Sequence, residues 1–430
     1  MQLKMTTIAL LLLYYGLNNL AIAQKHYIQC GLLIDGKGKS ALKEMTIIVE
    51  ENKIIGLEKG YKKGGSEDAI IDLTDKTVMP GLIDMHVHIE GETSKNRYME
   101  RFNLNEADVA FRSTIYAKRT LMAGFTTVRD LGGSGVNIAM RKAVDAGYIE
   151  GPRIYTSGKS IATTGGHADP TNGVKFDLMG DPGPKQGVIN GPDEARKAVR
   201  QRYKNGADVI KITATGGVLS VAKDGQRPQF AEEEIKAIVE TANDYNMITA
   251  AHAHGAEGMK RAVLAGITSI EHGTKMTEEV MDLMIEHGTY YVPTITAGKS
   301  VEELAKIPGY YPAIIVPKAL EIGPMIQTTF SKAYKHGVKI AFGTDAGVFP
   351  HGENWKEFGY MVEGGMPAME AIQSATVVAA TMLQVEDKLG SIEDGKLADI
   401  VAVDGNPLKD IKVMEKIVFV MKDGKVFKNE

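Results

Sequence analysis

Two histidines at the end of an apolar run could together hold a metal ion. His86 and His88 follow the segment that starts at Leu82. Side chains at positions i and i+2 of a strand point to the same face, so the two imidazoles can share one metal. Imidazole is a common metal ligand in proteins. The pair therefore predicts a metal site at a strand end.

Four further residues of suitable chemistry stand in similar contexts. Each follows or closes a short apolar run of β-type residues, and they are Lys211, His252, His272 and Asp345. Catalytic residues of parallel α/β barrels lie at the carboxyl ends of strands. If these runs are barrel strands, all six side chains can line one mouth.

The segment 80–387 alternates β-type runs with amphipathic stretches such as 231–245. Such alternation predicts a parallel sheet or barrel. The predicted strands are 82–87, 126–129, 153–157, 209–213, 248–252, 269–272, 290–294 and 339–343. Eight strands predict an α/β fold of the (β/α)8 TIM barrel type.

The two flanks of this segment have no helical period. Runs such as 45–49 and 53–57 before it, and 399–403 and 417–421 after it, are strand-like. We therefore expect residues 24–79 and 388–430 to form one small composite β-sandwich domain beside the barrel.

The predicted burial of Lys211 would be unfavourable for a charged ammonium group. Alternation places Val209, Lys211 and Thr213 on one covered strand face, and a buried, unpaired ammonium is costly. Burial lowers the pKa of a lysine and favours the neutral amine, which can add carbon dioxide to become a carbamate that bridges two cations. An ion-pair partner or a side chain reaching back to water is the alternative. The four histidines and Asp345 favour the carbamate.

Several motifs together resemble the amidohydrolase superfamily, specifically the imidazolonepropionase-like branch that includes secreted Xaa-Pro dipeptidases. The resemblance spans essentially everything after residue 23. The segments that carry it are 80–88, 124–130, Lys211, 252–255, 270–273, 343–347 and 398–401. It implies that His86, His88 and Asp345 hold one metal, that His252 and His272 hold the second, and that N6-carboxylated Lys211 bridges them. Zinc is the metal it implies. Imidazolonepropionase lacks the bridging lysine in the family pattern, so Lys211 argues against that activity.

Two such cations can bind a shared water, lower its pKa and polarise a carbonyl. Asp345 would then take the proton of the bridging hydroxide and pass it to the leaving amine. The expected reaction is hydrolysis of an amide bond in a small peptide or N-acyl amino acid, with Xaa-Pro dipeptides as the leading substrates. An esterase, lactonase or cyclic-amide hydrolase would use the same site. A catalytically silent metal-binding protein is the alternative from another class.

The other histidines have weaker claims. His254 shares a strand face with His252 and could ligate by spacing alone. His167 lies in a Gly-rich loop where relatives carry a histidine that faces the substrate carbonyl, with a surface-loop role as the alternative. His351 is a weaker candidate to line the pocket, and His287 and His336 are expected to be structural.

The composition limits partners and compartment. The chain has 430 residues, 43% apolar and 24% charged, and a net charge of −4 without a basic tract. This argues against a nucleic-acid partner and favours a small-molecule substrate.

A homo-oligomer is compatible with the sequence, which predicts no particular oligomeric state. Arg129, Lys159 and Arg227 are candidates for binding a substrate carboxylate, none of them distinguished by spacing.

The first 23 residues have the pattern of a secretory signal peptide. An apolar core at 8–15 is followed by small residues at Ala21 and Ala23. This core is shorter than the ~20 residues that a membrane span needs, so an uncleaved anchor is the less favoured alternative and no stable span is expected after cleavage. Cys30 has no partner cysteine. A secreted or periplasmic location is predicted.

Overall fold

A computed structural model describes residues 24–430. Its strands are β1 (Lys25–Leu33), β2 (Leu42–Glu50), β3 (Lys53–Lys59), β4 (Ala69–Pro80), β5 (Leu82–Val87), β6 (Phe125–Asp130), β7 (Arg153–Thr156), β8 (Ala162–Thr163), β9 (Val188–Ile189), β10 (Val209–Thr213), β11 (Ile248–Gly255), β12 (Ser269–Lys275), β13 (Tyr290–Val292), β14 (Ile400–Asp404), β15 (Ile417–Lys422) and β16 (Lys425–Asn429). The α-helices are α1 (Arg97–Asn103), α2 (Glu106–Met122), α3 (Val136–Asp145), α4 (Phe176–Met179), α5 (Pro192–Asn205), α6 (Glu232–Asp244), α7 (Ala256–Leu264), α8 (Glu278–His287), α9 (Ile295–Ala305), α10 (Val316–His336), α11 (Lys356–Glu363), α12 (Ala368–Ser374) and α13 (Val377–Met382). The predicted α/β class is confirmed.

The flanking strands form one seven-stranded sheet in the order β16-β15-β14-β4-β1-β2-β3. The amino-terminal and carboxyl-terminal flanks meet where β4 pairs with β14, with Pro80 opposite Ile400. A separate apolar core, which includes Ile28, Ile47 and Phe419, packs here. The expected pairing of the two flanks is therefore confirmed as a single sheet, while the second layer of a sandwich stays a prediction.

The central segment contains three parallel sheets, β5-β6-β7, β10-β11-β12-β13 and the two-stranded β8-β9. Every residue of β5, β6, β10 and β11 is buried. Strands read as continuous apolar runs, rather than alternating ones, when helices cover a parallel sheet on both faces. The amphipathic helices between the strands supply this cover, and seven of the eight predicted strands are present.

The eighth predicted strand, 339–343, is not a strand in the structure. An isolated parallel bridge joins its Ile340 to Tyr291 of β13, and another joins Ala346, just beyond it, to Val87 of β5. The backbone N–H of Phe342 donates to Ser374 rather than to a neighbouring strand. This bond interrupts the ladder, so the segment lies between β13 and β5 without regular pairing. A third bridge joins Ile161, in the segment between β7 and β8, to Ile212 of β10.

Residues 1–23, with the predicted signal peptide, lie outside the described part of the chain. Among residues 24–430, no helix is both long and apolar enough to cross a bilayer. Cys30 is buried in β1, where burial raises the pKa of its thiol to about 12. A buried thiol of this kind is unreactive.

Candidate metal centre

All six predicted ligands line a single cavity of about 720 Å³. They reach it from β5 and the residue that follows it, from within β10, β11 and β12, and from the loop that follows 339–343. Lining residues with titratable side chains at its base are His86, His88, Lys211, His252, His272 and Asp345. The fold therefore brings together residues that are up to 259 positions apart in the sequence.

His86, His88 and Asp345 form one group. The Nε2 atoms of His86 and His88 lie 3.6 Å and 3.3 Å from Oδ1 of Asp345. The opposite ring nitrogens are occupied, because Nδ1 of His86 contacts Glu271 Oε2 at 2.8 Å and Nδ1 of His88 contacts the carbonyl of Gly132 at 2.7 Å. Both rings thus present Nε2 to the cavity.

His252 and His272 form a neighbouring group, with ring centroids 4.7 Å apart. Nδ1 of His272 contacts the hydroxyl of Thr294 at 2.7 Å, and Nε2 of His252 contacts the carbonyl of Gly216 at 3.2 Å. Burial lowers the pKa of both imidazoles well below the usual value. They are therefore neutral, which is the protonation state that binds metal.

The two groups of candidate ligands lie next to each other. His272 lies 5.0 Å from His86 between ring centroids, and ligand atoms of His86, His272 and Asp345 lie within 4.8 Å of one another. Burial raises the pKa of Asp345, but the positive side chains around it outweigh this effect and keep the net pKa below normal. Asp345 is thus a carboxylate facing several imidazole nitrogens.

Lys211 is buried between these groups on β10, with 4% of its surface exposed. Burial lowers the pKa of its amine to about 8, although Glu271 and Asp345 act in the opposite direction. Within residues 24–430, Nζ has no hydrogen-bond partner. The lowered pKa increases the share of neutral amine near neutral pH, and the neutral form can act as a nucleophile towards carbon dioxide.

The donor set fits a divalent cation. Oδ1 of Asp345 is buried and has no hydrogen-bond partner within residues 24–430. A buried acceptor without a partner costs about 1–3 kcal/mol, and a cation would satisfy it. Neutral imidazoles and a carboxylate are ligands that zinc accepts.

Comparison with known proteins agrees with this geometry. Residues 77–427 match the amidohydrolase family. This chain belongs to the amidohydrolase family. Ochratoxinase of Aspergillus niger is 34% identical over 425 residues, covering 93% of this chain and 86% of that protein.

Solved structures extend the comparison. A crystal structure of a Xaa-Pro dipeptidase with methionine in the active site is 56% identical, with a TM-score of 0.92 over 94% of this chain and 100% of that one. A prolidase complexed with N-methylphosphonate-L-proline is 31% identical, with a TM-score of 0.86 over 95% and 100%. The family and these neighbours make the chain a hydrolase that acts on amide bonds.

Sequence reasoning missed the residues that orient the histidines of this amidohydrolase. Glu271 lies between His86 and Arg129, whose Nη2 donates to its Oε1 at 2.8 Å. Arg129 also donates to the hydroxyl of Ser269 at 3.1 Å. Burial raises the pKa of Glu271, but Arg129 and His86 hold it at about 2. An ionised carboxylate therefore fixes the ring of His86.

Glu271→Gln should weaken metal binding by the amidohydrolase about 10–100-fold, since loss of a carboxylate that orients a ligating histidine has effects of that size. A glutamine keeps the shape of the side chain but not its charge. The metal dissociation constant, measured against a competing chelator, tests this. Glu353→Gln, at a carboxylate paired with Lys356 outside the cavity, is the matched control. Equal metal affinity in both variants would refute the orienting role of Glu271.

His167 lies over the site, as expected. Its ring stacks on His252 with centroids 4.3 Å apart, and it lines the cavity. The backbone N–H of His167 donates to the Gln229 side chain at 2.8 Å, and a Cβ on Gly217 would come within 2.5 Å of the ring. Burial lowers the pKa of His167 to about 3, so the imidazole is neutral. Its Nδ1 has no partner within residues 24–430.

The remaining histidines divide between cavity and scaffold. His254 lines the cavity, with Nδ1 at 2.9 Å from the hydroxyl of Thr274. His351 does not line it, because its Nε2 donates to the carbonyl of Gly91 at 2.8 Å and its ring stacks on Tyr116. The prediction that His351 lines the pocket is wrong. His287 and His336 close α8 and α10.

The three carboxylate-binding candidates do not reach the cavity. Arg129 is fully buried in its ion pair with Glu271. Arg227 is exposed and pairs with Asp224, and Lys159 is not among the lining residues. Proximity of a cation to a strand end was therefore a poor guide to the substrate-binding surface.

Proposed function

We propose that this amidohydrolase uses a pair of divalent metal ions to hydrolyse the amide bond of a small peptide or N-acyl amino acid, with Xaa-Pro dipeptides as leading substrates. The single observation that carries the proposal is the convergence of four imidazoles, Lys211 and the unpartnered Oδ1 of Asp345 in one cavity. The similarity to a Xaa-Pro dipeptidase and to a prolidase with a proline phosphonate supports the substrate class.

Assignment of the ligands follows the two groups in the cavity. His86, His88 and Asp345 would hold one zinc ion, and His252 and His272 the other. Lys211, as N6-carboxylysine, would bridge them: its neutral Nζ forms a bond to the carbon of carbon dioxide and releases a proton to solvent. When bound, such metals supply an attacking water of lowered pKa and polarise the substrate carbonyl.

Two residues of the chain would act on the reacting groups. The carboxylate of Asp345 would accept the proton of the attacking water and then return it to the leaving amine, as general base and general acid. His167 is neutral, and an N–H of its ring can donate to the substrate carbonyl oxygen, where negative charge develops. Proton transfer and charge stabilisation would thus come from two different residues of the cavity.

Hydrolysis of a dipeptide library tests the proposal. The chain from Gln24 onwards, loaded with zinc in bicarbonate buffer, should release free amino acids from Xaa-Pro dipeptides, and a chelator should abolish the release. Activity confined to esters, lactones or cyclic amides would move the function to those substrates. Bound zinc with no hydrolysis of any amide or ester would indicate the silent binding protein.

Architecture around the site is part of the proposal. We propose that residues 80–387 close into a (β/α)8 barrel in which the irregular segment 339–343 takes the place of the eighth strand. The bridges from Ile340 to Tyr291 and from Ala346 to Val87 support this closure. Residues 24–79 and 388–430 would be the composite β domain.

A secreted or periplasmic location is proposed from the first 23 residues. Expression of the full chain in a bacterial host should give a product that begins at Gln24 and lies outside the cytoplasm, because the small residues at Ala21 and Ala23 fit a signal peptidase site. Amino-terminal sequencing of each cell fraction measures this. An intact Met1 in the cytoplasmic fraction would contradict the location.

A further inference from the structure

The charged side chains that line the cavity differ in whether the protein already supplies their hydrogen-bond partners. Among the carboxylates that line it, Glu90 accepts backbone N–H bonds from loop 134–137, the shortest of them 2.6 Å. Asp169 accepts the backbone N–H of Gly165 at 2.8 Å. These two acids hold loops in place and are not free to bind a ligand.

The cations of the lining are Arg97, Arg101 and Lys211. Lys211 belongs to the metal centre. Arg101 donates to the carbonyl of Pro170 at 3.4 Å and lies over the ring of Tyr98. Arg97 differs from both, because its Nη1 is buried and has no hydrogen-bond partner within residues 24–430.

A second polar group without a partner accompanies Arg97. The hydroxyl of Tyr311 is also buried and unbonded within the described residues. Burial raises the pKa of this hydroxyl to about 12, and the positive charge of Arg97 acts in the opposite direction. Unsatisfied buried donors are rare in native proteins and call for a missing partner.

We propose that Arg97 binds the free carboxylate of the substrate, and this inference rests on the proposed function. A guanidinium pairs with a carboxylate through two parallel N–H···O bonds, which fix orientation as well as adding binding energy. The lining of the same cavity also includes the apolar residues Val218, Val301 and Ile322. The substrate class is thus a linear amide with an uncharged middle and a terminal carboxylate.

The test compares a substrate with and without its carboxylate. In Arg97→Met, kcat/KM for the best dipeptide of the library should fall about 10–100-fold, the usual range for a charged hydrogen-bonded pair. For the carboxamide of the same dipeptide it should change less than about threefold, since no carboxylate is present to lose its partner. Arg97→Lys, which keeps the charge without the two-pronged geometry, should lie between wild type and Arg97→Met. If Arg97→Met does not fold, as judged by circular dichroism, Arg97→Lys decides the question by the same comparison.

Controls separate this inference from the proposed function. Lys95→Met removes a positive charge from an exposed position two residues away and should leave both substrates unaffected. Equal losses for the acid and the amide, or no loss for either, would overturn the role of Arg97 while amide hydrolysis stands. If the wild type hydrolyses no amide, calorimetric binding of L-proline and L-prolinamide still applies. Tighter binding of L-proline that is lost in Arg97→Met is expected, and equal binding or no binding would overturn the inference.

Discussion

Turnover should fall by about 10²–10⁴-fold when Asp345 is replaced by asparagine, the range that a positioned general acid–base group contributes. The amide can still offer an oxygen to a metal but cannot take up and return a proton. KM should change by less than about tenfold, because the lost interaction acts in the transition state. Steady-state kinetics on the best dipeptide measures both constants.

The control for this variant is Asp394→Asn, which makes the same change at an exposed position. It should leave both constants unchanged. Zinc content of Asp345→Asn must be measured in parallel, so that lost metal is not mistaken for lost proton transfer. Wild-type kcat in a fully loaded Asp345→Asn protein would remove Asp345 from the proton-transfer role.

Lys211→Met should leave the fold intact but lower bound zinc to one ion or less per chain and reduce kcat/KM at least about 100-fold. Methionine is of similar length and suits the buried strand position, and removal of a buried amine leaves no unpaired charge. The bridge between the two ligand groups is lost with the amine. Zinc per chain, measured by elemental analysis, and dipeptide hydrolysis test the expectation.

Lys197→Met is the matched control, because Lys197 is exposed on α5, the helix that precedes β10. It should bind zinc and hydrolyse dipeptides like the wild type. Bicarbonate should raise zinc loading of wild type and of Lys197→Met but not of Lys211→Met. Wild-type zinc loading and turnover in Lys211→Met would rule out the carbamate bridge.

The sequence predicted the positions of the six candidate ligands because local rules suffice for them. Strand periodicity places His86 and His88 on one face, and apolar runs locate the strand ends. Glu271 could not be predicted in the same way. It shares its strand with His272, and its partners His86 and Arg129 lie 185 and 142 residues away in the sequence. Only the folded chain brings them together.

The backbone conformation of three residues at the site could not be predicted from the sequence either. His272, Thr294 and Asp345 have φ values of 70°, 52° and 61°, in the left-handed region that few residues other than glycine occupy. Such strain is found at functional sites where surrounding structure enforces it. A sequence gives no local sign of it at a histidine or an aspartate.

Whether the side chain of Arg97 has a hydrogen-bond partner likewise depends on the tertiary structure. Arginines in surface helices usually pair with nearby acids, and Glu100 and Glu106 are close by in the sequence. In the structure, Glu100 accepts from Ser94 and pairs with Arg112 instead. The spacing of charges in this segment therefore could not show which cation is left without a partner.

Anomalous diffraction at the zinc edge from crystals of the zinc-loaded chain is the most direct test of the two-metal centre. The expected result is two peaks, one among His86, His88 and Asp345 and one beside His252 and His272, with density for a carbamate on Lys211 between them. Catalytic metal pairs lie roughly 3.5–4 Å apart. A single peak, or peaks away from these side chains, would contradict the two-metal account.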